Sequence, residues 1–434
     1  MSETRKSVVI IGGGFGGLYA AKGLGNKPVD VVLVDRKNHH TFQPLLYQVA
    51  TAVLSPGDIA SPIRGILRRF KNIEVLLDEV VGFDLDRREV HLRDGAGLTY
   101  DYLVVAAGAT HSYFGHAQWE ADAPGLKSLE DAIELRRRIL LAFENAERRA
   151  AEGRDPGPLN FVVVGAGPTG VELAGALIEI ARGVLPHDFR RIDPTQAHVI
   201  LLEGGPRILP AYPDDLSRSA LEQLQSLGVD VRTSAAVTSV EPGQVRVGDM
   251  VIPSTVTLWA AGVAASPLGK MLSNSTDRAG RVPVGPDLGL PGHPEVFVIG
   301  DLAAAKGEDG KLLPGLAETA QQQGKATAAN IVREIHGEPR KPFHYRDMGL
   351  LATIGRQAAV ARFGRLHLTG FTAWISWLFI HLMLLIGFRN RVLVLVNWAW
   401  AYFAYQRGAR LITDVEPITR THEAEAPTER RKAG

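Results

Sequence analysis

The chain has 434 residues, 45% of them hydrophobic and 22% charged, enough for a large core and two or three domains. Its 48 basic and 47 acidic residues leave a net charge of +1, which gives no argument for nucleic acid as a partner. Cysteine is absent, which excludes disulfides, thiolate metal sites and a CxxC or CxxxxC redox pair, and the 13 histidines show no HExxH pattern, so no metal site is expected.

Met1 to Lys6 is polar and lacks the basic and apolar regions of a signal peptide. VVIIGGGFGG, Val8 to Gly17, then predicts a buried parallel strand, a tight glycine turn and a helix start. In Gly12-x-Gly14-x-x-Gly17, Gly12 lets the chain turn, Gly14 leaves room for a pyrophosphate and Gly17 lets helix and strand pack closely. The phosphates are expected on free N–H groups at the helix N-terminus. Phe15, at the start of that helix, joins the candidate cofactor-binding set. VDVVLVD, Val29 to Asp35, predicts a second strand. Asp35 follows Gly12 by 23 residues, near the spacing of an acid that takes ribose hydroxyls; the alternative is an ordinary acid at a strand end. Arg36 beside it is a further candidate.

The stretch from Arg36 to Phe70 is too polar and proline-marked for one regular element and is expected to wrap over whatever the first fingerprint binds. Ile73 to Leu77 predicts a strand, and Val80 to Tyr100 a small antiparallel excursion. YLVVAAG, Tyr102 to Gly108, is an apolar run whose small residues let backbone approach a cofactor at Gly108; a plain buried strand end is the alternative. Leu126 to Arg149 has a helical pattern, and Ala151 to Pro158 is a linker by composition.

The opening pattern then repeats. FVVVGAGPTGVELAG, Phe161 to Gly175, places Gly165-x-Gly167-x-x-Gly170 after an apolar strand and at a helix start, so two dinucleotide sites are expected. HVILLE, His198 to Glu203, is the partner strand, delayed by an insertion containing GVLPHDFRRIDPT. Glu203 should bond an adenosine ribose and repel a 2′-phosphate, favouring NAD(H), although Arg207 is nearby. Val229 to Val240 and Val245 to Ile252 read as strands. TVTLWAAG, Thr255 to Gly262, echoes YLVVAAG and makes Gly262 a candidate contact. VFVIGD, Val296 to Asp301, ends in Gly300-Asp301, where the acid can accept from a polyol hydroxyl or cap a helix.

These pieces resemble the two-dinucleotide-binding-domain flavoproteins, and within them the type II NADH dehydrogenases, the single-subunit NADH:quinone oxidoreductases. FQPLLYQVAT (Phe42 to Thr51), AAGATHSYFG (Ala106 to Gly115), AQQQG (Ala320 to Gly324) and the tail from Gly387 to Thr413 carry the resemblance. It implies that the first fingerprint and Gly300-Asp301 hold FAD and the second takes NADH. It also implies that Ala320, Gln321, Gln322 and Gly324, as the AQxxG motif, line the quinone side. An acid at the GVELAG position, here Glu172, is implicated in substrate handling or proton supply. The alternatives are an acid favoured by the helix dipole and a polar helix surface. The lack of cysteine sets aside the sulfide:quinone oxidoreductases and dithiol reductases.

Phe371 to Phe388 and Val392 to Tyr405 are apolar runs at or below spanning length, separated by a basic break at Arg389-Asn390-Arg391. Trp374, Trp377, Trp398 and Trp400, with Tyr402 and Tyr405, suit the headgroup level, and Arg389, Arg391, Arg407 and Arg410 can reach anionic lipid. Two helices lying in the membrane interface are expected. A dimer interface, a buried helix pair and a spanning hairpin are the alternatives. His381, within the apolar run, is either a proton relay or a hydrogen-bonded structural residue.

The expected architecture is therefore α/β: two Rossmann-like units for FAD and NADH, and a C-terminal helical membrane-anchoring region. The expected boundaries are 1–125 and 271–340 for the FAD unit, 126–270 for the NADH unit, 341–415 for the anchor and 416–434 for a disordered tail. The expected activity is transfer of two electrons from NADH through FAD to a membrane quinone, without proton pumping, on the inner face of the cytoplasmic membrane. Glu172 and Gln321 are the candidate catalytic residues. The family resemblance alone implies a homodimer through the C-terminal region. A soluble NADH oxidase or ferredoxin-type reductase, and a non-enzymatic FAD/NAD redox sensor, are the competing readings.

Overall fold

The computed structural model of the protein describes residues 5–404 and 409–413. Met1 to Thr4, Tyr405, Arg407 and the segment 416–434 lie outside the described residues.

The first unit starts with β1 (Lys6–Ile11), whose Val8 to Ile11 are buried on both faces, as a central parallel strand requires. Helix α1 (Phe15–Leu24) follows, then β2 (Val29–Asp35), the five-residue helix α2 (Leu46–Ala50), β3 (Ile73–Leu77) and β4 (Tyr102–Val105). Between β3 and β4, Val80–Asp84, Glu89–Leu92 and Gly97–Thr99 form the expected antiparallel excursion. Helix α3 (Leu129–Ala151) opens on a capping box in which Ser128 and Asp131 satisfy each other's backbone N–H groups.

The second unit repeats the plan. It contains β5 (Asn160–Val164), α4 (Pro168–Gly183), β6 (His198–Leu202), β7 (Asp230–Arg232) and β8 (Val256–Trp259), in the parallel order β7-β6-β5-β8. A second three-stranded antiparallel excursion separates β7 from β8. The run from Val229 to Val240, expected as one strand, is two. Ser234 takes φ +52°, and the N–H groups of Ser234 and Ala235 turn back to Gly205 O and Glu203 O, 2.7 and 2.8 Å away. The acid-bearing loop after β6 thus interrupts the strand.

The chain then returns to the first sheet. Strand β9 (His293–Val298) pairs in parallel with β4, giving the order β9-β4-β1-β2-β3, with Gly289–Leu290 at the edge beside β9. Helix α5 (Ala317–Ile335) crosses α1 so closely that a Cβ at Gly324 would meet the Gly16 carbonyl oxygen. Beyond it lies an antiparallel meander that the sequence pattern did not reveal: β10 (Leu350–Gly355), β11 (Ala358–Phe363) and β12 (Leu366–Thr369).

Two helices, α6 (Gly370–Leu384) and α7 (Phe388–Ala404), complete the described fold. The basic triplet is not the break between them. The turn falls at Leu385–Gly387, where Gly387 takes φ +92°, and Arg389, Asn390 and Arg391 lie in the first turn of α7. Glycine at the left-handed position sets the break, and the Arg391 guanidinium stabilises it by donating to Leu385 O at 2.8 Å. No helix among the described residues is long and apolar enough to cross a membrane.

Candidate functional site

The first glycine turn has the geometry its spacing requires. Gly12 takes φ +96°, and a Cβ there would press on the Ala106 carbonyl. A Cβ at Gly17 would strike the Gly12 carbonyl oxygen, whereas Gly14 faces open space. Backbone N–H groups at the start of α1 therefore border the space left open at Gly14, as a phosphate site requires. Asp35 ties the turn down: its carboxylate accepts from Gly13 N at 2.5 Å and from Lys37 N at 2.7 Å. Phe15 is buried edge-on against His40 and Phe42, while Arg36 is exposed. His40 donates its Nδ1–H to Gly13 O, 2.9 Å away, and burial pushes its pKa down to about 4, so its ring is neutral at neutral pH.

The second turn repeats these contacts. Gly165 takes φ +97°, a Cβ at Gly170 would strike the Gly165 carbonyl oxygen, and Gly167 faces open space. Glu203 occupies the place of Asp35, accepting from Ala166 N and Gly205 N, both at 2.7 Å. Arg207 bonds Asp214 and Pro210 O rather than Glu203. The two units meet where Ala109–His111 pairs antiparallel with Val263–Ala265. Gly108 (φ +65°) leads into the first of these strands and leaves open space, whereas Gly262, before the second, lies under the Phe114 ring.

Gly300-Asp301 follows β9 at the same end of the sheet as the first glycine turn. Gly300 takes φ +73° and donates its N–H to Gln323 Oε1 at 2.6 Å, and the Asp301 carboxylate lies 3.3 Å from Lys127 Nζ. Gln323 and Lys127 escaped the sequence reading, although Gln323 lies within the quoted AQQQG. In that motif Ala320 packs near Gly300, Gln321 is buried, and Gly324 faces α1. Gln322 turns away, exchanging hydrogen bonds of 2.9 Å with the backbone of Arg346.

A cavity of about 820 Å³ opens between α4, β10 and the C-terminal helices. Its walls are apolar and aromatic, including Trp374, Leu378, Leu382 and Leu395, and Tyr47, Gln48, Glu172 and Thr353 contribute polar groups. Neither Gln321 nor Gln322 lines it. Glu172 is placed by close packing: Gly175, one turn on, lets α4 touch the Ile354 carbonyl of β10. Desolvation pushes the Glu172 pKa up to about 8, against the opposing effects of the Thr353 N–H at 3.5 Å and the approaching Trp377 indole. Among the described residues, the buried Trp377 N–H approaches the Glu172 carboxyl without completing a hydrogen bond. Gln48 donates to Tyr47 OH at 2.9 Å and accepts from Trp398 Nε1 at 2.7 Å. His381 stacks on Trp377 and bonds its carbonyl at 2.8 Å, and burial pushes its pKa down to about 4. These contacts favour the structural reading of His381.

Residues 6–324 match the pyridine nucleotide-disulphide oxidoreductase family. The chain is 46% identical to the type II NADH:quinone oxidoreductase Ndh of Mycobacterium tuberculosis, over 96% of this chain and 92% of that one. It is 32% identical to the type II NADH:quinone oxidoreductase of Haemophilus influenzae, over 84% of this chain and 89% of that one. Its fold matches NDH2 of Plasmodium falciparum, solved with NADH, at a TM-score of 0.84 and 19% identity, over 94% of this chain and 100% of that one. The repeated glycine turns, the absence of cysteine and these likenesses agree: the chain belongs to the pyridine nucleotide-disulphide oxidoreductase family and, within it, to the type II NADH:quinone oxidoreductases.

Proposed function

We propose that this chain oxidises NADH at the second unit and reduces a quinone in the cavity beneath its C-terminal helices, while lying on the inner face of the cytoplasmic membrane. The observation that carries the proposal is the apolar cavity itself, which ends on an acid of the NADH-unit helix α4. The first unit fits FAD: its open Gly14 turn, the Asp35 carboxylate and the Gly300-Asp301 turn are chemically suited to pyrophosphate, ribose and polyol. FAD, when bound there, supplies the two-electron chemistry that links the two substrates.

The chain's own residues position substrates and hold protons. Glu203 repels a 2′-phosphate and leaves lone pairs for ribose hydroxyls, which favours NADH. Desolvation raises the Glu172 pKa to about 8, which favours its protonated form at neutral pH, and it faces the cavity, where it can donate a proton to a quinone oxygen. Gln48 and Tyr47 provide further polar groups on the cavity wall. Gln321, buried beside Ala320 near the Gly300 turn, is assigned to the flavin side of the quinone path.

Phe371, Ile375 and Phe379 on α6, and Val396, Trp400 and Phe403 on α7, are exposed, a surface suited to lipid. The homodimer expected from the family draws on the same region, and sedimentation equilibrium in detergent tests it. The activity is tested with purified, flavin-loaded protein, a short-chain quinone, and NADH or NADPH. Quinone-dependent NADH oxidation that is at least tenfold faster than NADPH oxidation is expected. NADH oxidation that proceeds equally without quinone supports the soluble oxidase instead.

A further inference from the structure

Tyr19 on α1 gathers cations from separate parts of the chain. Lys22 Nζ lies 4.9 Å and Lys325 Nζ 5.2 Å from the centre of its ring. Arg69 acts on Lys22, and Arg391, in the first turn of α7, acts on the Tyr19 hydroxyl. Burial is the largest cause lowering the Lys22 pKa; Arg69 and Lys325 lower it further, and no acid offsets them. Among the described residues, no carboxylate lies within ion-pairing distance of Lys22, Arg69, Lys325 or Arg391. Like charges brought together without a counter-charge repel one another, so an anion supplied from outside relieves them.

The surface beside the cluster says what carries that anion. Val392, Val396 and Trp400 are exposed on α7 directly after Arg391. Asn390 Nδ2 lies 3.2 Å from Ser61 Oγ, which brings the start of α7 against the FAD unit two residues before the helix Ile63–Leu67. A basic rim continuous with an apolar ridge matches a lipid, whose headgroup is charged and whose chains are not. A free nucleotide or phosphate would leave the ridge without a partner.

We infer that Tyr19, Lys22, Arg69, Lys325 and Arg391 form a site for the phosphate of anionic phospholipid headgroups, built largely by the FAD unit rather than by the C-terminal helices. The inference rests on the membrane-surface reading above and extends it to a preferred lipid charge. In a bilayer surface each such cation contributes about 1 kcal/mol, a factor of about five in affinity.

The test is flotation of the full-length, flavin-loaded protein with vesicles of phosphatidylcholine alone or with about one third phosphatidylglycerol. Wild type should prefer the anionic vesicles, and added salt should weaken that preference. The combined variant Lys22→Gln, Arg69→Gln, Lys325→Gln should lose about a hundredfold on anionic vesicles and little on neutral ones. Its NADH oxidation with a soluble quinone should match wild type, which checks its folding. Equal wild-type binding to both vesicle types, or a combined variant that retains the preference, overturns the headgroup site while leaving the membrane reading intact. Binding to neither type overturns both.

Discussion

The apolar cavity wall desolvates the Glu172 carboxyl and raises its pKa, which favours the protonated form at neutral pH. Its folded pKa of about 8 lies above the ordinary carboxyl value of 4.5, so the folded state holds the proton more tightly than the unfolded one. The pH-dependent cost of burying this acid is therefore absent at low pH, grows from about pH 4.5 and levels off above about pH 8. Glu172→Gln should melt higher than wild type at pH 8 and alongside it at pH 4, measured by thermal denaturation. The glycine turns give a second residue-scale prediction. Gly17→Ala drives a Cβ into the first turn and should release FAD, read as lost flavin absorbance after purification. Gly170→Ala does the same to the second turn and should raise the NADH KM about tenfold or more while FAD stays bound. Both turns and both acids were legible in the sequence because they are local: three glycines fix a turn, and a strand later an acid reaches back to it. Gln48 was not legible as a cavity residue, because its partner Trp398 is 350 residues away and no pattern within either segment pairs them.

Among the elements, the C-terminal hairpin shows how a few polar contacts place a largely apolar structure. Helix α7 is docked on the Phe42 to Pro62 stretch by Asn390 to Ser61, Asn397 to Asp58 and Trp398 to Gln48. The prolines and short turns that make this stretch read as irregular also give it the side-chain variety to receive a helix. Gln48→Ala leaves the Trp398 N–H without its acceptor, at a cost of about 1–3 kcal/mol. It should speed hydrogen exchange across α7 and raise the quinone KM while sparing reduction by NADH. Exchange rates in α7 equal to wild type contradict that docking role. The two helices themselves were visible as apolar runs, but their junction was not. Charge drew attention to Arg389-Asn390-Arg391, whereas the backbone freedom of Gly387 decides where the chain turns. The β10–β12 meander lacked a strong alternating signature and is stabilised by packing against α4 and α6.

Over the whole molecule, two copies of one folding plan face each other, and the C-terminal helices close the space between them. The cavity draws Gln48 from the first unit, Glu172 from the second and its aromatic walls from α6 and α7. Neither unit encloses it alone, which explains why the repeated fingerprints revealed both dinucleotide folds but not the third site. The proposed role of Glu172 is to serve this cavity. Stopped-flow absorbance of the bound flavin tests it most directly, with NADH mixed first and a short-chain quinone second, for wild type and Glu172→Gln. Bleaching by NADH should stay within about twofold of wild type, while recovery with quinone should slow about a hundredfold or more, the loss typical of a proton donor. Slowed bleaching with unchanged recovery would contradict this role and assign Glu172 to NADH.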